Sequence, residues 1–235
     1  MLSENDMPQY PIPSYIAMCK PWLQAKDLRS QPPQLYDAEK WRAIFHDSAL
    51  ENVFNRYPQQ INRLDIIRYA EGANQVDIDP NAIQELFWAT MLWGWGTTGY
   101  GPKNRVKPIL DANDNLFDVL STAFQFIQKG DVSEAYEWLC PGGTTRIKNF
   151  GEAYFSKFLY FAGLGCGLEK YPLILDSKIN TALNVLIYSN APRAYARSGY
   201  LTYVDTLHQW AQTLECRADS IEYLLFMMPP GFWMK

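Results

Sequence analysis

The chain has 235 residues, 48% of them hydrophobic and 20% charged, which suits one large or two small domains with a proper core and excludes wholesale disorder. Its formal net charge of −4 argues against a general polyanion binder. No apolar run approaches the roughly 20 residues of a membrane span, and the opening MLSENDMPQYPIP is polar and acidic, unlike a signal peptide, so a soluble, cytoplasmic protein is expected.

The charge is unevenly spread. Residues 1–90 carry 8 Lys and Arg against 12 Asp and Glu, whereas residues 91–190 balance at 9 against 9. Within the second stretch GYGPKNRVKP is purely basic and TTRIKNFGEAYFSK mostly so, which localises any nucleic-acid surface to these segments. Cys19, Cys140, Cys166 and Cys216 form no CxxC pair, and neither His46 nor His208 lies near a cysteine. No metal site is expected, and reduced buried thiols are the reading.

In chain order, residues 1–35 read as an irregular, proline-rich arm with one short helix at IAMCK. Residues 36–235 read as a single helical body. From Asp37, a cap, DAEKWRAIFHDSALENVFNRY shows helical spacing. QQINRLDIIRYAEGA forms a second helix ending at Gly72, and VDIDPNAIQELFWATMLWGWG a third, with Asp79 capping and Pro80 in the first turn. A glycine-rich loop, GWGTTGYGPKNRVKPIL, runs into a short helix. Further helices are predicted near 115–129, 131–139, 152–163, 177–188 and 200–214, then at DSIEYLLFMM. Strand-type alternation is nearly absent, so the chain reads as all-α, a compact multi-helix fold of one lobe or two.

GWGTTG at 94–99 matches G-x-G-x-x-G, but that motif needs a strand before it, and here a helix precedes it. The glycines serve either as a helix C-cap and turn or as backbone open to a ligand, with Lys103, Arg105 and Lys107 beyond them as phosphate contacts. Lys157 emerges from an aromatic stripe, with Ala153, Tyr154, Tyr160 and Phe161 at helical i±3 and i±4 spacing. Its stem can lie over that stripe with the ammonium in water, or the amine can be partly buried and so a better nucleophile. Asp176 follows the apolar run PLIL and precedes SKINTALNVLIY, the place of a helix N-cap. A nucleophilic amine paired with a carboxylate suits a reaction that passes through a cation, such as cleavage of an N-glycosidic bond.

Lys157 and Asp176 stand 19 positions apart. This spacing, with FGEAYFSKFLYFAG, LILDSKINTAL, the earlier WGWGTTGYGPKN and the tail YLTYVDTLHQWAQTLECRADSIEYLLF, resembles the helix-hairpin-helix DNA glycosylase superfamily in its 8-oxoguanine glycosylase branch. It is most similar to bacterial proteins of that fold, some linked to antiviral defence, and the resemblance covers about residues 85–226. Where the branch carries a hairpin of the form L-P-G-V-G-x-K, this chain has EAYFS before Lys157, with only Gly151 close by.

The resemblance implies a glycosylase-like all-α fold and DNA as partner, with a damaged or modified base flipped into a pocket. It implies Lys157 as the nucleophile at C1′ and Asp176 as the carboxylate that stabilises developing positive charge, with β-elimination at the resulting imine. DNA contacts are expected from Lys103, Arg105, Lys107, Arg146, Lys148 and Gly151, and base stacking from among Trp88, Trp93, Trp95 and Phe226. No metal or organic cofactor is implied. The rival readings are a defence glycosylase acting on a phage-modified base or a nucleotide, with partner proteins from a defence operon, and an inactive helical binding module.

Overall fold

A computed structural model describes residues 10–140, 145, 147–186 and 197–228. Among these residues the chain is all-α, with thirteen α-helices and two strands of two residues each. None of these helices is long and apolar enough to cross a membrane. The chain packs as two compact units, one formed by Arg29–Pro172 and the other by Met1–Leu28 with Leu173–Lys235.

In the larger unit, Asp37 caps α3 (Ala38–Arg42), accepting from the Lys40 N–H, and Asp47 caps α4 (Ser48–Arg56), accepting from the Leu50 N–H. The single helix expected over residues 37–57 is therefore two. The break has a tertiary cause: Asp47 Oδ1 accepts both the Leu50 N–H and the Trp88 indole N–H, each at 3.0 Å. A side chain serving as a cap and holding a distant indole keeps its own backbone outside the helix. Strands β1 (Gln34–Leu35) and β2 (Gln60–Ile61) pair antiparallel, Gln34 opposite Ile61. Asn62 then opens α5 (Arg63–Ala73) with a reciprocal capping box to Asp65.

Helix α6 (Pro80–Trp95) is the axis of this unit. Asp79 caps it, Pro80 occupies its first position, and Ile83, Leu86–Ala89, Met91 and Leu92 are all buried. Helices α4, α5, α8 (Leu116–Gln128) and α10 (Glu152–Gly165) pack on it, and α9 (Val132–Leu139) on α8. A helix surrounded on so many sides must be apolar nearly all round, as this one is. Helix α10 approaches α5 so closely that a β-carbon on Gly165 would overlap Ala70. Gly96 ends α6 at φ +56°, and a β-carbon there would stand 2.5 Å from Gln34 Nε2. The GWG glycine is thus a helix stop that no other residue fits without strain. A π-type turn (Pro102–Val106) leads into α7 (Lys107–Leu110).

In the smaller unit α1 (Ser14–Met18) and α2 (Lys20–Ala25) join α11 (Ser177–Leu186), α12 (Arg197–Leu214) and α13 (Ala218–Met227). Helix α2 packs on α12 and α13. Lys20 Nζ lies 2.9 Å from Glu215 Oε2, and Gln24 donates to the Leu214 carbonyl.

The extended run Leu173–Leu175 is buried without a sheet to satisfy its backbone. Side chains do so instead. Tyr200 Oη donates to the Leu173 carbonyl at 2.8 Å and accepts from its N–H at 3.2 Å. Tyr203 donates to the Ile174 carbonyl at 2.9 Å, and Glu222 accepts the Ile174 N–H at 2.9 Å. Each bond removes a buried polar group that would otherwise be unpaired, at about 1–3 kcal/mol apiece.

Candidate active site

The residues singled out by sequence fall into one group in each unit. In the larger unit Lys157 lies on α10, half-buried, above Phe158, Tyr160 and Phe161, which are fully buried. Its Nζ donates to the Ala153 carbonyl one turn back, in keeping with the direction in which helical side chains lean. The stem crosses Gly94 of α6: a β-carbon at residue 94 would be 3.7 Å from Lys157 Cδ and 3.9 Å from Cε. Absence of a side chain at Gly94 leaves the amine its path along the helix.

Aromatic rings flank this path on both sides. Toward the α10 N-terminus, Tyr154 stacks on Phe150 (6.1 Å, 16°) and lies 5.9 Å from Trp95, which also contacts Tyr100. Toward its C-terminus, Trp93 meets Phe161 edge-on at 5.4 Å. Behind them Arg63, only 4% exposed, holds its guanidinium 4.9 Å from the Trp93 ring and 5.2 Å from that of Tyr160. It donates to Tyr160 Oη at 2.8 Å and to Gln31 Oε1 at 3.0 Å. Burial raises the Tyr154 phenol, an effect offset in part by Arg105 and reinforced by Tyr100. The basic turn is therefore electrostatically adjacent to the Lys157 helix. Burial also pushes the thiols of Cys140, Cys166 and Cys216 up to about 11, which keeps them protonated at neutral pH and unsuited to nucleophilic attack.

Lys103, Arg105 and Lys107 are exposed on the turn and α7. Arg105 lies over the Tyr100 ring at 5.6 Å, and Lys107 pairs with Asp111 at 2.8 Å. Lys148 is exposed in the loop before α10, and Gly151 is the N-cap of that helix, without a side-chain cap and with open space where a β-carbon would point. Arg146 lies outside the described residues.

Of the four ring candidates, Trp93 and Trp95 are half-buried beside the Lys157 path. Trp88 is not free to stack: it is 0% exposed and packed among Trp41, Phe45 and Phe87, with its N–H on Asp47. It is a core residue, and the stacking role expected for it is withdrawn.

In the smaller unit Asp176 is half-buried at the start of α11. Its Oδ1 accepts from the Lys178 and Ile179 N–H groups, both at 2.9 Å. This is the N-cap expected from sequence. Among the described residues Oδ2 accepts no hydrogen bond, which leaves one carboxylate oxygen for other use. Phe226, on α13, is half-buried with the Lys178 ammonium 4.2 Å from its ring centroid.

Gly94 and Arg63 were not picked out for these roles from sequence. Gly94 was read as part of a cap and turn or as backbone open to a ligand, not as the path of the lysine stem, and nothing in the spacing of NRLDIIRYAEG marks Arg63 as buried. Among the described residues no three His, Cys, Asp or Glu side chains gather as a metal site.

Comparison with curated proteins and with solved structures gives no match. A protein-family model described as "Putative 8-oxoguanine DNA glycosylase OGG-like protein" matches residues 27–226. That span takes in the larger unit, nearly all of α11 to α13 of the smaller one and every candidate residue above, and the family implies a glycosylase-like role with DNA as partner. The chain belongs to the OGG-like 8-oxoguanine DNA glycosylase family.

Proposed function

We propose that the protein is a DNA glycosylase with lyase activity that removes a damaged or modified base of the 8-oxoguanine type. The observation that carries this reading is Lys157: a half-buried amine laid across a glycine, between aromatic walls, in a chain of this family. The target nucleotide leaves the stack and its base meets rings such as Trp93 and Trp95 beside the Lys157 path.

The neutral Lys157 amine attacks C1′. The C1′–N bond breaks, its electron pair leaves with the base, and a proton from solvent neutralises the base anion. Asp176 Oδ2 stabilises the positive charge that develops on the sugar during this step. The sugar ring then opens: the C1′–O4′ bond breaks, one proton of the attached nitrogen passes to O4′, and a protonated imine is left between Nζ and C1′. Loss of a C2′ proton from the imine breaks the C3′–O bond, and the strand is cut with its 3′ phosphate as leaving group.

The test is a panel of duplex and single-stranded oligonucleotides, each with one damaged or modified base, incubated with borohydride. A covalent adduct on one member, lost in Lys157→Gln while that oligonucleotide still binds, is the expected result. An adduct that persists in Lys157→Gln assigns the nucleophile elsewhere. Binding without adduct or base loss across the panel favours an inactive binding module.

A further inference from the structure

The loop that leads into the Lys157 helix does not hang free. Its peptide at Lys148 is gripped at both ends by one side chain: Asn113 Oδ1 accepts the Lys148 N–H at 2.8 Å, and Asn113 Nδ2 donates to the Lys148 carbonyl at 2.9 Å. The same Nδ2 donates to the Ile109 carbonyl of α7 at 2.6 Å. One residue on, Asn149 holds φ +66°, and its Nδ2 donates to the Pro108 carbonyl at 3.0 Å. Two asparagines thus fasten residues 148 and 149 to the helix that carries Lys107 and follows the turn of Lys103 and Arg105. The ties engage both backbone polar groups of Lys148 and none of its side chain.

Lys103 and Lys148 are exposed, and among the described residues neither is paired with a carboxylate. Two segments separated by some forty positions in sequence are therefore locked into one edge, with free ammonium groups on both. A lysine on a mobile loop loses side-chain and backbone freedom when it engages a phosphate, whereas one on a fastened loop loses only the former.

We propose that Asn113 is a positioning residue for nucleic-acid binding: it holds the Lys148 loop against α7, so that Lys103, Arg105 and Lys148 track one phosphate backbone as a unit. This rests on the DNA reading above. Asn149 assists by holding the next peptide. Asn113 acts through Lys148 and touches no substrate.

The experiment is a double-mutant cycle on the full chain. Affinity for a duplex oligonucleotide carrying the base found in the panel is measured from about 50 to 300 mM salt, for wild type, Asn113→Ala, Lys148→Ala and the double variant. Losing one phosphate contact lowers the slope of log K against log salt by about 0.9 and the affinity near 0.1 M by about eightfold. Asn113→Ala and Lys148→Ala are each expected to show this loss, and the double variant no more than either. A purely structural asparagine would shift thermal stability and leave the salt slope in place. Asn149→Gly, which keeps the positive φ and removes only the side-chain tie, is the check if Asn113→Ala folds poorly, and the same reduced slope is expected. If Lys148→Ala lowers the slope and both asparagine variants keep it, or if the Asn113 and Lys148 losses add, the positioning role is overturned. If Lys148→Ala keeps the wild-type slope, the loop is no part of the interface and the proposal fails. If wild type itself binds DNA with no salt dependence, it is the DNA reading that fails.

Discussion

Lys157 crosses Gly94, its Cδ 3.7 Å from where a β-carbon on residue 94 would stand. That distance is an ordinary van der Waals contact, so a methyl group fits, whereas a longer side chain competes with the lysine stem for the same space. Gly94→Ala is expected to fold with a slightly raised melting temperature, since Ala is favoured over Gly inside a helix by about 1 kcal/mol. It should keep its covalent trapping rate. Gly94→Leu is expected to fold and to lose about a hundredfold in trapping, because the displaced amine no longer meets C1′ in line. Equal trapping by the Leu variant removes Gly94 from the site.

Arg63 is buried between Trp93 and Tyr160, each ring about 5 Å from its guanidinium carbon. Its fork reaches Tyr160 and Gln31 at once, and a lysine ammonium cannot span both while facing two rings. Arg63→Lys is expected to lower stability by about 2 kcal/mol, the scale of a lost charge-assisted hydrogen bond. The readout is a lower urea midpoint with unchanged slope. An unchanged midpoint would show that the guanidinium geometry is immaterial to packing.

The caps were legible in the sequence because capping is local. Asp37, Asp79 and Asp176 each sit two or three residues before the N–H they accept, and a short window shows both. The split between α3 and α4 was not legible, although Asp47 is also a local cap, because the deciding partner is Trp88, forty-one positions away. The same holds for the clamp of Asn113 on Lys148 and for the two tyrosines and glutamate that satisfy residues 173 and 174. Lys157 and Asp176 could be picked out because an amine in an aromatic stripe and a carboxylate after an apolar run are exceptions to local pattern. Trp88 could not be told from Trp93 or Trp95, because all three stand in one aromatic run on α6 and only the packing of other helices buries the first.

Glu51 gives a pH signature independent of catalysis. The Arg42 guanidinium, donating to both its oxygens, holds the Glu51 carboxyl below its ordinary value of 4.5. A group whose folded-state pKa is depressed binds fewer protons folded than unfolded at acid pH, so its contribution is present above pH 4.5 and is lost as pH falls through the folded value. Glu51→Gln is therefore expected to melt below wild type at pH 7 and to converge with it as pH drops below 4.5. The pair is largely exposed, so the gap should narrow with added salt as well. A gap constant from pH 7 to pH 3 would mean that the ion pair contributes nothing.

Asp176 carries two tasks on two oxygens, and substitutions can separate them. Oδ1 caps α11 by accepting the Lys178 and Ile179 N–H groups. Asparagine offers a carbonyl oxygen in the same position and caps about as well, so Asp176→Asn should lose only the small interaction of a charge with the helix dipole, about 0.5 kcal/mol. Asp176→Ala removes the cap and should cost about 1 kcal/mol more. Catalysis should respond differently. The proposed role needs a negative charge on Oδ2 where the sugar becomes positive, and neither Asn nor Ala supplies it. Both variants are therefore expected to slow base loss by about a hundredfold or more, while oligonucleotide affinity stays near that of wild type. Lys157 remains in both, so an oligonucleotide with the base already removed should still be trapped by borohydride, because that step requires no departure of the base. One melting curve, one base-loss assay and one trapping assay per variant thus distinguish cap from charge. Activity that tracked stability, high in Asn and low in Ala, would reduce Asp176 to a helix cap and leave the cation without its assigned counter-charge.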